Sequence, residues 1–104
     1  MNSIELDAGT FYDILEFIDH DVMYGVQKFN HITYDFTGKT EVPKQISIEL
    51  IDHFYNDRIQ CVTLSINGER KSPDGRWFHV TVSKEMNVES KESNDLINSH
   101  YKEA

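Results

Sequence analysis

The chain has 104 residues, with 18 acidic against 10 basic side chains and a formal net charge of −8. Its content of 38% hydrophobic and 12% aromatic residues suffices for one packed core and excludes disorder along the whole chain, and no apolar run approaches the length of a bilayer span. The charge excludes a general basic surface for nucleic acid and suits, beyond solubility, a protein partner with a basic surface, such as a nuclease or another nucleic-acid-binding protein.

The charge is unevenly distributed. No lysine or arginine precedes Lys28, whereas Glu5, Asp7, Asp13, Glu16, Asp19 and Asp21 are all acidic. The stretch from Lys28 to Lys84 is nearly balanced, and the sequence from Glu85 onward is acidic again. The beginning of the chain carries no basic region followed by an apolar block, and the lone Cys61 has no partner for an internal disulfide. Both features lead to the expectation of a cytoplasmic protein.

Ser3 to Leu6 reads as a short strand or as the lead-in to a helix. Residues 8–24 then carry a helical pattern: Phe11, Ile14, Leu15, Ile18 and Val22 fall on one stripe. Asp7 is the expected N-cap and Gly25 the expected stop. The opposite face places Asp13, Glu16 and Asp19 among Tyr12, Phe17, Met23 and Tyr24. A solvated face ordinarily carries lysine and few aromatics, so this one is the chain's main candidate for function. Asp19 and Asp21 lie toward the helix end where the dipole disfavours them.

Residues 29–36 alternate, with Asn30, Ile32, Tyr34 and Phe36 on one side, which predicts a strand. A polar turn follows at residues 37–40. In residues 44–56, Ile46, Leu50 and Phe54 recur every fourth position and Ile51 and Tyr55 widen the stripe. Ile46, Ile48 and Leu50 also alternate, but continuation of the apolar pattern to Tyr55 favours a helix. Residues 59–66 predict the clearest strand, with Val62, Leu64 and Ile66 inward. Residues 76–84 predict another, with Phe78, Val80 and Val82 inward. Between them Asn67-Gly68 and Ser72-Pro73-Asp74-Gly75 are two turn signals, so either one closes a long hairpin or both flank a short extra strand.

The expected architecture is α+β: a small antiparallel sheet packed by two helices. One domain covers residues 1–86. Residues 87–104 read as an acidic linker and tail in which Leu96, Ile97 and Tyr101 support a short helix or a frayed end. The expected core comprises Phe11, Leu15, Ile18, Ile32, Leu50, Phe54, Val62, Leu64, Phe78 and Val80. Ser3-Ile4-Glu5-Leu6 recurs as Ser47-Ile48-Glu49-Leu50, and Phe11-Tyr12-Asp13 is echoed at Phe54-Tyr55, a weak signature of a duplicated unit.

The sequence contains no glycine-rich phosphate loop, no paired-cysteine zinc pattern and no nucleophile elbow, so no catalytic residue, metal or cofactor is assigned. His20 with Glu16, and His53 with Glu49, have two-ligand helical spacing and no more. Cys61 beside Val62 reads as a buried thiol rather than a nucleophile. Trp77 and His79 share the outward side of their strand beside Arg76. These three form a candidate platform for a small ligand or nucleotide, unless a helix covers them.

The favoured expectation is a small protein-binding module that inhibits or neutralises a partner. Tyr12, Asp13, Glu16, Asp19 and Tyr24 would contact a basic surface, with the carboxylate row as a nucleic-acid mimic. Bacterial immunity proteins, antitoxins and phage-encoded inhibitors of host defence share this size, charge and lack of catalytic motifs; the parallel is one of type, not of sequence. A structural homodimer, pairing the exposed aromatics of two copies, is the third reading.

Overall fold

Eight elements follow one another in the computed structural model, which describes residues 2–27, 31–35, 37–89 and 91–101. They are β1 (Asn2–Glu5), α1 (Ala8–Phe17), β2 (Val26–Gln27), β3 (His31–Asp35), β4 (Ile48–Tyr55), β5 (Ile59–Ile66), β6 (His79–Lys84) and α2 (Glu92–His100). The class is α+β. A four-stranded antiparallel sheet has the order β2-β6-β5-β4, and β1 pairs antiparallel with β3 in a separate two-stranded sheet. Phe29, Asn30 and Phe36 of the expected 29–36 strand, and Ser90 and residues 102–104 of the expected linker and tail, lie outside the described residues.

All eight residues of β5 are buried, because this strand is covered on both faces. On one face Val62, Leu64, Ile66, Phe78, Val80 and Val82 pack with Ile14 and Ile18, from α1 and its cap, and with Ile32 of β3. Phe11 and Leu15 of α1 pack against that cluster, as their helical stripe predicts, and so do Val22 beyond the helix and Leu50 of β4. On the other face Ile59 and Cys61 meet Val88, Leu96 and Ile97, bordered by Phe54, Trp77 and Tyr101. The acidic end of the chain therefore contains α2, a helix docked on the sheet, with Ile97 fully buried.

Three boundaries differ from the sequence-based expectation. Residues 44–56 do not form a helix; most of them form β4. A bulge between Leu50 and Asp52 explains the misleading pattern. One extra residue reverses the alternation: Ile48 and Leu50 join the α1-side cluster, whereas Phe54 joins the α2 side. A strand that changes face in this way displays apolar residues at near-helical spacing.

α1 stops at Phe17, far short of residue 24. β6 begins at His79, because residues 76–78 pair back onto the hairpin, with Lys71 opposite Trp77 and the Phe78 N–H donating to the Arg70 carbonyl at 2.9 Å. Both turn signals are used. Asn67 and Gly68 take φ 52° and 83°, the pair of left-handed residues that a tight hairpin turn requires, and the Gly75 N–H closes the second turn on the Ser72 carbonyl at 2.9 Å. The Ser-Ile-Glu-Leu echo falls on strands both times, but Phe11-Tyr12 is helical and Phe54-Tyr55 is not, so no βα unit is repeated.

The polar turn after β3 has its own anchor. The buried Asp35 carboxylate accepts from Thr37 N–H and Oγ1 (2.9 and 2.7 Å) and from Thr40 N–H (2.7 Å). Hydrogen bonding from Thr37 leads in holding this carboxyl at about 2, against the opposing effect of burial.

Ile97 decides between a docked helix and a frayed tail. Ile97→Ala is expected to cost about 2–4 kcal/mol, read as a lower urea midpoint at unchanged m-value. A change under about 0.5 kcal/mol would mark a solvent-exposed position and contradict the docking of α2.

Candidate docking face

α1 is set by its cap. Asp7 has extended backbone (φ −80°, ψ 173°), and its carboxylate accepts from the Thr10 N–H at 2.8 Å; that bond lowers the Asp7 pKa. With the apolar stripe turned inward, Tyr12, Asp13, Glu16 and Phe17 all face solvent. Tyr12 is 62% exposed and Phe17 39%. The Phe11 ring meets Tyr12 edge-on at 5.5 Å between centroids, linking the outer face to the core.

The helix ends in a left-handed cap. The Asp19 N–H donates to the Glu16 carbonyl (3.1 Å) and the His20 N–H to the Leu15 carbonyl (2.7 Å), the bond pair that closes many helices around a glycine. Here the left-handed position holds Asp19 at φ 56°, and His20 follows at φ 59°. Two consecutive non-glycine residues in this region are strained, at about 1–2 kcal/mol each. Gly25, the expected stop, lies beyond the turn.

The strained turn is held from below by one side chain. Gln60 of β5 is fully buried, and its amide is saturated. Gln60 Oε1 accepts from Met23 N–H (3.1 Å) and Ser83 Oγ (2.7 Å), while Gln60 Nε2 donates to the Asp21 carbonyl (2.7 Å) and lies 2.9 Å from His53 Nε2. Ser83 Oγ in turn accepts from the Tyr24 N–H at 3.2 Å. A polar residue at this position of a two-faced strand must be paired, and its partners are the backbone groups of the α1 exit.

His53 belongs to the same cluster. Burial lowers its pKa, with Asp21 and Asp19 pulling the other way. The two aspartates at the wrong end of the helix dipole thus have a histidine opposite them. His79 is also lowered by burial. Each histidine binds its proton less readily folded than unfolded, so the stability it contributes is complete above its ordinary value of 6.5 and is lost as pH falls through the lower folded value.

Of the five residues expected on the docking face, Tyr12, Asp13 and Glu16 lie on the exposed side of α1, and Asp19 is exposed in the cap. Tyr24 does not share that helix: it is half-buried after the turn, and its hydroxyl donates to the Asn56 carbonyl. Burial, then Asp57 and Glu85, raise its pKa.

Arg76, Trp77 and His79, the candidate ligand platform, each have partners within the fold. Trp77 is half-buried against Tyr101 at 4.7 Å, and both Lys71 (4.5 Å) and Arg70 (5.1 Å) lie over its ring. Cations already over the indole compete with a stacking base for its face. His79 Nδ1 pairs with the Trp77 carbonyl at 2.9 Å, and the Arg76 Nε lies 3.6 Å from Asp74. A cleft of about 500 Å³ opens nearby between Tyr34, Phe78, Lys71 and Ser72, but none of the three residues lines it.

Burial pushes the Cys61 thiol up to about 12, which leaves it protonated near neutrality. Among the described residues no three histidine, cysteine or acidic side chains gather as metal ligands, and His53 with Glu49 lies on a bulged strand rather than on a helix.

Sequence reasoning missed Gln60, Ser83 and His53 as a unit. The one available signal was a glutamine between Ile59 and Cys61 in the most apolar strand. The comparisons with known proteins return no match: no family model, curated protein or solved structure is significantly similar to this chain.

Two substitutions in the turn are expected to act in opposite directions. Asp19→Gly relieves the left-handed strain and should raise stability by about 1 kcal/mol. Gln60→Leu keeps the volume but orphans the Met23 N–H and the Asp21 carbonyl, and should cost about 2–4 kcal/mol. Denaturant unfolding of both variants checks the pair; a destabilising Asp19→Gly would contradict the strain argument.

Proposed function

We propose that this chain is a protein-binding module that docks the outer face of α1 and its cap on a basic surface of a partner, acting as an inhibitor or neutraliser. The observation that carries the reading is the exposure of Tyr12 and Phe17 beside the exposed carboxylates of Asp13 and Glu16, on a helix whose other side is fully engaged in the core.

The part of an aromatic ring left in water adds little to the free fold, whereas desolvated in an interface it is among the strongest contributors per residue. Carboxylates around it suit a partner rich in lysine and arginine and accelerate encounter. No lysine or arginine in the sequence before Lys28 offsets these charges within their own segment. Asp19 adds to the argument because it occupies a position where glycine would be more stable. The row of carboxylates is also compatible with occupying a phosphate-binding surface, as a nucleic-acid mimic would. The cytoplasm remains the proposed location.

The test begins with capture of the partner on the tagged chain from the source cells, followed by affinity measurements on the purified pair. Reversing Asp13, Glu16 and Asp19 together to lysine is expected to weaken binding at least about 100-fold while moving stability by less than about 1 kcal/mol. Tyr12→Ala is expected to weaken it about 10-fold or more. Asp19→Gly should bind less well although it is more stable. Undiminished affinity in the triple variant, or its unfolding, rejects this face as the docking site.

A further inference from the structure

The hydrogen bonds around Gln60 fix the protonation of His53. Met23 N–H can only donate and the Asp21 carbonyl can only accept, so Gln60 Oε1 must face Met23 and Gln60 Nε2 must face Asp21. The second Nε2 hydrogen then points at His53 Nε2, 2.9 Å away. His53 Nε2 must accept, which only the neutral imidazole with its proton on Nδ1 can do. The clamp on the acidic turn therefore requires an uncharged His53.

We propose that His53 is a proton-operated release for the Asp19–Asp21 turn. With His53 neutral, Gln60 stays seated and holds residues 21–23 on the sheet. A proton on His53 Nε2 sets one N–H against another, breaks the contact with Gln60, and attracts the imidazolium to the Asp19 and Asp21 carboxylates.

Among the described residues, the titratable groups facing His53 are those two aspartates from the turn, and Tyr55 on its own strand with ring centroids 5.4 Å apart. β5 and β6 present Gln60 and Ser83, which do not titrate. Burial favours the neutral ring and outweighs the aspartates, which favour the charged one. Because Asp19 belongs to the proposed docking face, this regulation of binding rests on that reading. The release itself does not.

The test is a pH titration of the free chain by NMR, from pH 8 to 5, following the His53 ring and the Met23 and Tyr24 amides. The Met23 amide is expected to shift with the same midpoint as His53. In His53→Gln, whose side-chain oxygen can accept from Gln60 and does not titrate, that amide should hold still throughout. In Asp19→Asn/Asp21→Asn the His53 midpoint should move down by about half a unit or more.

A Met23 amide indifferent to His53 protonation, or one that still titrates in His53→Gln, overturns the release; so does an unmoved midpoint in the double variant. If the amide follows His53 but the affinity of the captured partner stays flat from pH 8 to 5.5, the release stands and the docking reading loses Asp19.

Discussion

A strand covered on both faces cannot leave a polar side chain unpaired, and β5 carries two that organise the molecule. Gln60 points to the α1 side and Thr63 to the α2 side. Gln60 collects the Met23 N–H, the Asp21 carbonyl, Ser83 and His53. Thr63 Oγ1 accepts from the Asp52 N–H at 3.1 Å and pairs with the Tyr101 hydroxyl at 2.8 Å, and that hydroxyl also reaches the Asp52 carboxylate. The apolar residues of β5 would accept covering elements in many registers. Gln60 and Thr63 accept only particular partners. One residue thus places the exit of α1 and the other places the end of α2, and among the described residues no buried side-chain nitrogen or oxygen lacks a partner.

What the sequence made legible follows from that division. The apolar stripe of α1, the strand at residues 59–66 and both hairpin turns are local patterns, and they appear where expected. β4 was obscured because its bulge shifts the alternation by one residue, which imitates a helical repeat. The end of α1 was obscured because the left-handed cap uses Asp19 where a glycine is the usual signal. α2 was obscured for a third reason: Lys91 gives it no side-chain cap, and its amphipathic face amounts to Leu96 and Ile97 with Tyr101 just beyond. None of the long-range partners of Gln60 is visible in the sequence, because a glutamine in a strand ordinarily reads as an outward residue.

The exposed part of the candidate site was the more readable part. Tyr12, Asp13 and Glu16 are placed by helical periodicity alone, so their shared face follows once α1 is recognised. Tyr24 was lost from that face by the early end of the helix. His53 entered the neighbourhood only because the bulge in β4 rotates the following residues, which puts His53 and Phe54 on opposite sides of the sheet. The same single-residue irregularity therefore hid the strand and supplied the histidine beneath the acidic turn.

The chemical character of the clamp bears on why the acidic face can exist. Six carboxylates within the first 21 residues repel one another, and a lysine or arginine beneath the turn would hold it in place more simply. Such a cation would also cancel part of the negative field that a basic partner would meet. Ion pairs do occur elsewhere in the chain, with Arg58 bonded to Glu92 at 3.0 Å and joining the start of β5 to α2. At the turn, the structure instead uses a neutral amide braced by a neutral imidazole, and the amide holds backbone groups without discharging the side chains above them. The arrangement keeps the left-handed strain of Asp19 and His20 in place and leaves the negative field of the face intact, and its one titratable member is the imidazole whose proton the turn cannot tolerate.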